Sequence, residues 1–521
     1  MIPALLLRQL NGERAVVLLY IIRLLFATPF SLLAEAISIS LLSIFALYVE
    51  ISADDASNPL ARSFRTRPGA SSGILLGAVT LPGLMLSRLI QSLRALASKE
   101  VGIEELGYLR WHYWAAFACC FTVLVFLCII CRHQGKSSIS ICSRFNWSVK
   151  FSFISIALLV GFCLVSLSAK LYAGWPAALM SLWVLFHGLA AVQLIQKILH
   201  MFPACASIGE SLLVTTGLVI YCGDMLAYTV AEIPIYMASS KVLLVQYGIK
   251  KSEISTIIQG MIFGLLLFPV FYKYVLRIWE SFASLSSNGD MGNQEMRRSF
   301  VFYASLTFLL VMVVPSWMQL VHSFDVHPLL WVVHFVFSEP LKRLTLCTYW
   351  LVVICFSVRR FYNISKNSKT ERILLRKYYH LMAVSIFVPA LIFQPRFLDL
   401  AFGAALAVFL LLEIIRIWKI WPLGNLVHQF MNAFTDHRDS DLLIVSHFSL
   451  LLGCAIPIWL SSGFTDRPLA PFAGILSLGI GDTMHWFSLI VAVTTSGLLE
   501  ANTAQLDNAF IPLVFYSLLC L

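Results

Sequence analysis

Beyond residue 370 of the 521-residue chain, ionisable side chains form five groups beside or within long apolar runs. A charged side chain inside a membrane costs roughly 2.5–3.5 kcal/mol on insertion scales, so such residues usually mark a functional site. Arginine and lysine neutralise phosphate groups, and carboxylates bind divalent cations. The five groups therefore indicate a site for a phosphate-bearing ligand and a metal ion.

The first two groups lie on predicted helices. Arg376, Lys377 and His380 stand at the entry to an apolar helix, where Arg376 and His380 share a face. This group suits an entrance that binds phosphate, or contact with lipid phosphates. Glu413 and Arg416 are three residues apart inside the next helix, so their charges can pair. That pair is either structural or part of a site.

The third group precedes the apolar run that begins at residue 442. Its three carboxylates, on Asp436, Asp439 and Asp441, suit a divalent cation or a cap on the next helix, and Arg438 stands among them. His447 lies further along the following helix. A helix cap would explain Asp441 alone, but not this density of charge.

The fourth group is the turn formed by Gly479, Gly481, Asp482 and Thr483. Glycines let a backbone or a ligand approach closely, and the carboxylate of Asp482 suits a Mg²⁺ ion that bridges phosphates. Gly-Asp pairs also form ordinary turns.

The fifth group contains Glu500, Gln505, Asp507 and Asn508. On one continuous helix, Glu500, Asp507 and Asn508 stand at i, i+7 and i+8 and share a face. Two carboxylates and an amide projecting together predict a metal or hydroxyl site. The alternative is a hinge between two helices.

Composition identifies the elements that must position these groups. The chain is 59% hydrophobic and 12% charged, with a mean hydropathy of +0.84. Soluble domains carry roughly 25% charged residues. An all-α polytopic membrane protein with about 13 to 16 transmembrane helices is predicted, and soluble, disordered and fibrous classes are excluded. The formal net charge of +10 comes from short basic clusters between apolar runs, which is typical of cytoplasmic loops and argues against nucleic-acid binding.

Apolar segments of suitable length recur along the whole chain. We place them at 15–30, 32–49, 73–90, 112–131, 150–168, 174–198, 211–230, 256–277, 300–320, 328–338, 343–358, 380–395, 397–417, 442–461, 468–480, 486–500 and 508–521. Three regions follow: a multi-spanning region 1–358, a basic loop 359–377 that faces the cytosol, and a C-terminal membrane region 378–521. No chemistry is assigned to the first 340 residues.

Two further motifs carry little weight. Asn146 and Asn363 match the glycosylation pattern, but both lie in basic segments and are expected to stay unmodified. Cys128 and Cys131 have metal-ligand spacing without a second pair, so buried helical cysteines are the better interpretation, and no disulfide framework is indicated.

The five groups, in this order, resemble the C-terminal half of the dolichol kinases. The similar stretches span roughly 376–515 and read RKYYHLMAVSIFVPALIF, AVFLLLEIIRIWKIWPLG, DHRDSDLLIVSHFSLLLGCAIPIWL, PFAGILSLGIGDT and LLEANTAQLDNAFIPL. The ordered set is specific to that family, whereas each stretch alone is not.

The resemblance implies that the γ-phosphate of CTP is transferred, with Mg²⁺ or another divalent cation, to dolichol or a related polyprenol. It implies a multi-pass protein of the endoplasmic reticulum membrane whose nucleotide site faces the cytosol. Its partners are the substrates and the bilayer, with no nucleic acid and with protein partners unknown. The implied roles are metal binding by Asp436, Asp439 and Asp482, phosphate binding by Arg376, Lys377, His380, Arg438, Gly479, Gly481 and Thr483, and catalysis by Asp482, Glu500, Asp507 and Asn508.

The chain departs from that family at one place. Dolichol kinases carry a Lys-Lys-Thr-x-Glu-Gly loop associated with CTP binding after the Gly-Asp-Thr turn, whereas here Met484 runs directly into His485. The C-terminal region is therefore expected to lack an internal stretch, and the chain to be weakly active or inactive. The alternatives are another CTP-dependent lipid kinase acting on phytol or diacylglycerol, a transporter, or a non-catalytic scaffold.

Overall fold

The structure is a computed structural model that describes residues 11–54, 60, 63–68, 70–97, 103–134, 174–232, 251–283, 291–367, 372–432, 442–461, 469–479, 486–503, 505 and 507–520. These residues form helices and their connections, without a strand among them. The α-helices are α1 (Gly12–Ala27), α2 (Leu33–Asp54), α3 (Ile74–Ala97), α4 (Ile103–Gln134), α5 (Gly174–Met201), α6 (Ile208–Glu232), α7 (Glu253–Ala283), α8 (Met291–Phe308), α9 (Val314–Val321), α10 (Pro328–Ser338), α11 (Pro340–Asn367), α12 (Arg372–Phe393), α13 (Pro395–Trp418), α14 (Gly424–Asn432), α15 (Val445–Ser461), α16 (Ala473–Gly479), α17 (Trp486–Asn502) and α18 (Asp507–Cys520). A π-helical turn at Leu309–Val313 joins α8 to α9.

The helices agree with the apolar segments of the sequence. Within the described ranges, nine helices are long and apolar enough to cross a membrane, and shorter apolar helices occur at Pro328–Ser338, Leu381–Phe393, His447–Ser461 and Ala509–Cys520. The prediction of an all-α polytopic membrane protein is confirmed. The predicted segment 150–168 lies outside the described residues.

The chain divides into two compact units. Unit 1 contains residues 1–249, 460–477 and 481–521, and unit 2 contains residues 250–459 and 478–480. The last helices of the chain therefore share a unit with the N-terminal helices.

Helix α3 is the central helix of unit 1. It packs against α1, α2, α4, α6 and α18, and its apolar stretch is largely buried. The hydroxyls of Tyr20 on α1 and Ser517 on α18 form a buried hydrogen bond of 2.8 Å. The C-terminal helix is thereby fixed to the first described helix.

Helices α7 and α13 form the centre of unit 2. Aromatic rings connect these helices: the centroids of Phe268 on α7 and Phe302 on α8 lie 5.1 Å apart, as do those of Tyr272 on α7 and Trp418 on α13. Helix α13 begins at Pro395, whose ring suits the first helical turn, and ends where Lys419 adopts a left-handed φ of 50°. This packing sets the position of the last two turns of α13.

Candidate functional site

A buried ion pair occupies the last two turns of α13 in unit 2. Arg416 donates from Nε to Glu413 Oε2 at 2.8 Å and from Nη2 to Glu413 Oε1 at 2.7 Å. Both side chains are almost completely enclosed, at 1% and 4% exposure. Two parallel hydrogen bonds fix the relative orientation of the groups and offset part of the cost of burying two charges.

The same pair also binds the backbone that leads into α15. Glu413 Oε1 accepts the N–H of Ile444 at 3.0 Å, and Arg416 Nη2 donates to the carbonyl oxygen of Leu442 at 3.3 Å. His447, half-buried in the first turn of α15, has its ring centroid 6.2 Å from that of Phe409. The ion pair thus holds the backbone of 442–444, which follows the predicted metal and phosphate ligands Asp436, Arg438 and Asp439 in the sequence.

A second polar site lies in unit 1 and centres on Gln505, which is completely buried. Its Nε2 donates to the carbonyl oxygen of Ser71 at 3.0 Å and to Ser71 Oγ at 2.9 Å. Its Oε1 accepts a hydrogen bond from Ser207 Oγ. The amide of Gln505 therefore connects the segment before α3 to the start of α6.

The start of α6 is itself capped. The N–H of Ser207 donates to Glu210 Oε2 at 2.8 Å, and the N–H of Glu210 donates to Ser207 Oγ at 3.1 Å, which is a reciprocal capping box. Glu210 Oε1 also accepts from Arg67 Nη2 at 2.6 Å, and both side chains are buried. The partner of Gln505 is thus held by two ionised groups.

Ser71 is held by the start of α1. Its hydroxyl donates to Glu13 Oε2 at 3.0 Å. The neighbouring Arg14 pairs with Glu50 at 2.6 Å and with Asp54. Burial and the nearby Glu50 carboxylate raise the pKa of Glu13 to about 7, against hydrogen bonds from Ser71 and Thr503. We call the connected residues Glu13, Ser71, Ser207, Glu210, Arg67 and Gln505 the Gln505 cluster.

Two glycines permit this arrangement. A Cβ on Gly12 would overlap the side chain of Asn502 at the end of α17, and a Cβ on Gly73 would overlap the amide of Gln505. Gly73 also has a φ of +60°, a conformation that disfavours every residue with a Cβ. Asn502 and Gln505 therefore contact the N-terminal segments at two glycines, where a larger residue would not fit.

The expectation that Glu500, Asp507 and Asn508 share one helical face is wrong. Glu500 is exposed on α17, which ends at Asn502, whereas Asp507 and Asn508 begin α18. Gln505 lies between the two helices and contacts Ser71 and Ser207. This segment therefore belongs to two helices rather than to one continuous helix.

The remaining predicted residues are placed only in part. Arg376, Lys377 and His380 belong to α12, whose described side chains begin at Leu381, and Gly479 ends α16. The other predicted positions, Asp436, Arg438, Asp439, Gly481, Asp482 and Thr483, lie outside the described residues. Within the described part of the chain no group of three or more His, Cys, Asp or Glu side chains is arranged to hold a metal ion.

Sequence reasoning missed the N-terminal half of the Gln505 cluster. Glu13, Arg67 and Glu210 lie within the first 340 residues, to which the sequence assigns no chemistry. One local signal was available: Ser207 and Glu210 have the Ser-x-x-Glu spacing of a capping box before an apolar run.

Comparisons with known proteins extend the resemblance well beyond residues 376–515. A family model described as Dolichol kinase matches residues 181–458. Dolichol kinase EVAN of Arabidopsis thaliana is 52% identical over 562 aligned positions, covering 98% of each chain. The dolichol kinase of Homo sapiens is 28% identical over 388 positions, covering 62% of this chain and 66% of that protein. Dolichol kinase sec59 of Schizosaccharomyces pombe is 36% identical over 200 positions, covering 36% of this chain and 38% of that protein.

No solved structure matches the chain. The similarity also covers the N-terminal part of the chain, because the family match begins at residue 181 and the Arabidopsis relative aligns over nearly the whole length. The chain belongs to the dolichol kinase family.

Proposed function

We propose that the chain transfers the γ-phosphoryl group of CTP to the terminal hydroxyl of dolichol or a related polyprenol. Its family makes it a membrane kinase, and hence a transferase with a nucleotide donor and a polyprenol acceptor. A polyprenol remains in the bilayer, so the enzyme must bring a polar nucleotide to the membrane surface. Many apolar helices with charged groups near their ends provide such a surface.

The observation that carries the proposal is the ion pair of Glu413 and Arg416 on the backbone of 442–444. A buried pair is expensive, and this one fixes the exit of the segment that contains Asp436, Arg438 and Asp439. Phosphoryl transfer depends mainly on positioning and on neutralising charge. The acidic and basic residues of that segment suit both requirements, and the ion pair fixes the backbone of 442–444 that follows it.

A divalent cation would be held by carboxylates that are not already paired. The buried carboxylates of Glu50, Glu210 and Glu413 are bound by arginines, so they are unsuitable ligands. Asp436, Asp439 and Asp482 are the proposed ligands, and such a cation would neutralise charge on the transferred phosphoryl group. Phosphates of the nucleotide would be bound by Arg376, Lys377, His380, Arg438 and the turn containing Gly479, Gly481 and Thr483.

The acceptor hydroxyl would be positioned or deprotonated by Glu500 or Asp507, with Asn508 beside the latter. Basic residues at the ends of spans support a cytosolic nucleotide site in the endoplasmic reticulum membrane: Arg297 and Arg298 near the start of one span, and Arg359 and Arg360 at the end of another.

An internal stretch is proposed to be missing between Met484 and His485. The alignment with the Arabidopsis relative has 562 positions, more than the 521 residues of the chain, so it includes gaps in this chain. That length supports a deletion, and the absent Lys-Lys-Thr-x-Glu-Gly loop indicates its place. Activity of the chain as it stands is expected to be low.

The test compares three purified proteins given labelled CTP, Mg²⁺ and dolichol: the chain, the chain with the relative's stretch inserted after Met484, and the Arabidopsis relative. Insertion should raise turnover at least about tenfold. Equal turnover with and without the insertion would refute the impairment. If the extended chain does not phosphorylate dolichol while the Arabidopsis relative does, the proposed reaction is refuted. Assays with phytol and diacylglycerol in place of dolichol test the choice of acceptor.

A further inference from the structure

We propose that Gln505 is a positioning residue of the proposed kinase site. Its hydrogen bonds hold the start of α18, where the candidate catalytic residues Asp507 and Asn508 lie. The proposal rests on the proposed function, because only that function makes Asp507 and Asn508 candidate catalytic residues. On this proposal, the segments before α3 and α6 help to position the start of α18.

The amide of Gln505 is fixed in one orientation. Nε2 uses both of its hydrogens on Ser71, and Oε1 accepts from Ser207. With no exposure to solvent, an amide turned by half a rotation would place Oε1 against the carbonyl oxygen of Ser71, so that one buried acceptor faces another. The backbone of residue 505 is therefore held at a defined place, two residues before α18 begins.

The groups that bind Gln505 are anchored independently. Ser71 donates onward to Glu13, and Ser207 belongs to the capping box with Glu210, which Arg67 binds in turn. Filling the same space with an apolar side chain would cost less than burying this amide among ionised groups. The side-chain amide of Gln505 has a partner for each of its N–H groups and for its oxygen, and such directional bonds specify one geometry rather than adding bulk stability.

The network also joins distant parts of the sequence. Ser71 and Ser207 are 434 and 298 positions away from Gln505 along the chain. Gly73 provides the room, since a Cβ there would overlap the Gln505 amide. The position of α18 is thus set by the segment before α3 and by the start of α6.

The test uses Gln505→Ala and Gln505→Glu in the full chain. Alanine removes both connections at every pH. An ionised glutamate still accepts from Ser207 but cannot donate to Ser71, whereas a protonated one donates again. Facing charged groups are Glu13, Glu50, Arg14, Arg67 and Glu210, so every rate is expressed relative to the unmodified chain at the same pH.

Two measurements are made between pH 8 and pH 6. Hydrogen exchange of peptides covering residues 503–512 should be faster in Gln505→Ala at all pH values, and in Gln505→Glu should return toward the unmodified rate as pH falls. Polyprenol phosphorylation should lose about tenfold in kcat with KM changed less than about twofold, with the same pH pattern. Gly497→Ala is the control, since a Cβ there meets nothing.

Unchanged exchange at 503–512 in Gln505→Ala overturns the proposal, and so does a pH-independent effect of Gln505→Glu. An equal loss in Gly497→Ala also overturns it. If the unmodified chain shows no phosphotransfer, the proposed function fails or the deletion abolishes activity, and the exchange measurement alone then decides the role of Gln505.

Discussion

The carboxylate of Glu413 lies 3.0 Å from the backbone nitrogen of Ile444, which is 31 positions later in the chain. The same carboxylate receives two hydrogen bonds from Arg416. An ion pair three residues apart on one helix needs no further partner to be satisfied in this way. Its additional bonds to 442–444 indicate that it holds the entry of α15 as well as neutralising itself.

Glu413→Gln should destabilise the protein strongly, because it leaves the buried guanidinium of Arg416 without a countercharge. Removing one partner of a buried pair costs about 3–5 kcal/mol. Arg416→Lys should cost less, since it keeps the charge but loses the second hydrogen bond. Thermal unfolding of the purified protein in detergent measures both changes.

The matched control is Glu280→Gln. Glu280 pairs with Arg298 at 3.3 Å in the same unit, but both side chains are about half exposed. Exposed pairs are worth about 0–1 kcal/mol, so this variant should unfold close to the unmodified chain. If Glu413→Gln and Glu280→Gln lower the thermal stability equally, the burial of Glu413 does not increase the contribution of its ion pair.

Stability should rise as pH falls from 8 to 6 because of Glu13. Burial and the Glu50 carboxylate raise its pKa to about 7 from an ordinary value of 4.5. The folded protein therefore binds a proton near pH 7, whereas the unfolded chain binds it only near pH 4.5. The free energy of unfolding should rise by about 1 kcal/mol between pH 8 and pH 6. Unfolding midpoints measured across that range test the shift.

Glu13→Gln isolates this contribution. The neutral amide still accepts from Ser71, does not titrate and carries no charge toward Glu50, so the variant should be more stable at pH 8. Its pH dependence over the same range should be shallower than that of the unmodified chain. Identical slopes for the two proteins would assign the dependence to other groups.

Asn363 should stay unglycosylated when the chain is expressed in eukaryotic cells. It lies near the end of α11, after the basic pair Arg359 and Arg360, which favours the cytosolic side. Modification of Asn-x-Ser would require the opposite side of the membrane. Treatment with an endoglycosidase should leave the electrophoretic mobility unchanged, and a shift that Asn363→Gln removes would reverse the orientation of α11.

Periodic and local features could be predicted from the sequence, whereas features built from distant segments could not. Glu413 and Arg416 were predictable as a pair because helical geometry turns a spacing of three into contact. The contact of Gln505 with Ser71 spans 434 positions, and no pattern in either segment indicates the other. Glu500 and Asp507 lie on two different helices, so helical spacing alone gave the wrong face.

Gly73→Ala and Gly497→Ala should change stability in opposite directions. At Gly73 the φ of +60° costs an L-residue about 1–2 kcal/mol, and the new methyl group would also overlap the Gln505 amide. Gly497 lies exposed inside α17 with open space around it, so alanine should stabilise that helix by about 0.5–1 kcal/mol. Thermal unfolding of the two variants gives the comparison directly. Because the overlap is with the side chain of Gln505, combining Gly73→Ala with Gln505→Ala should recover part of the loss, and a fully additive double variant would show that the two residues do not interact.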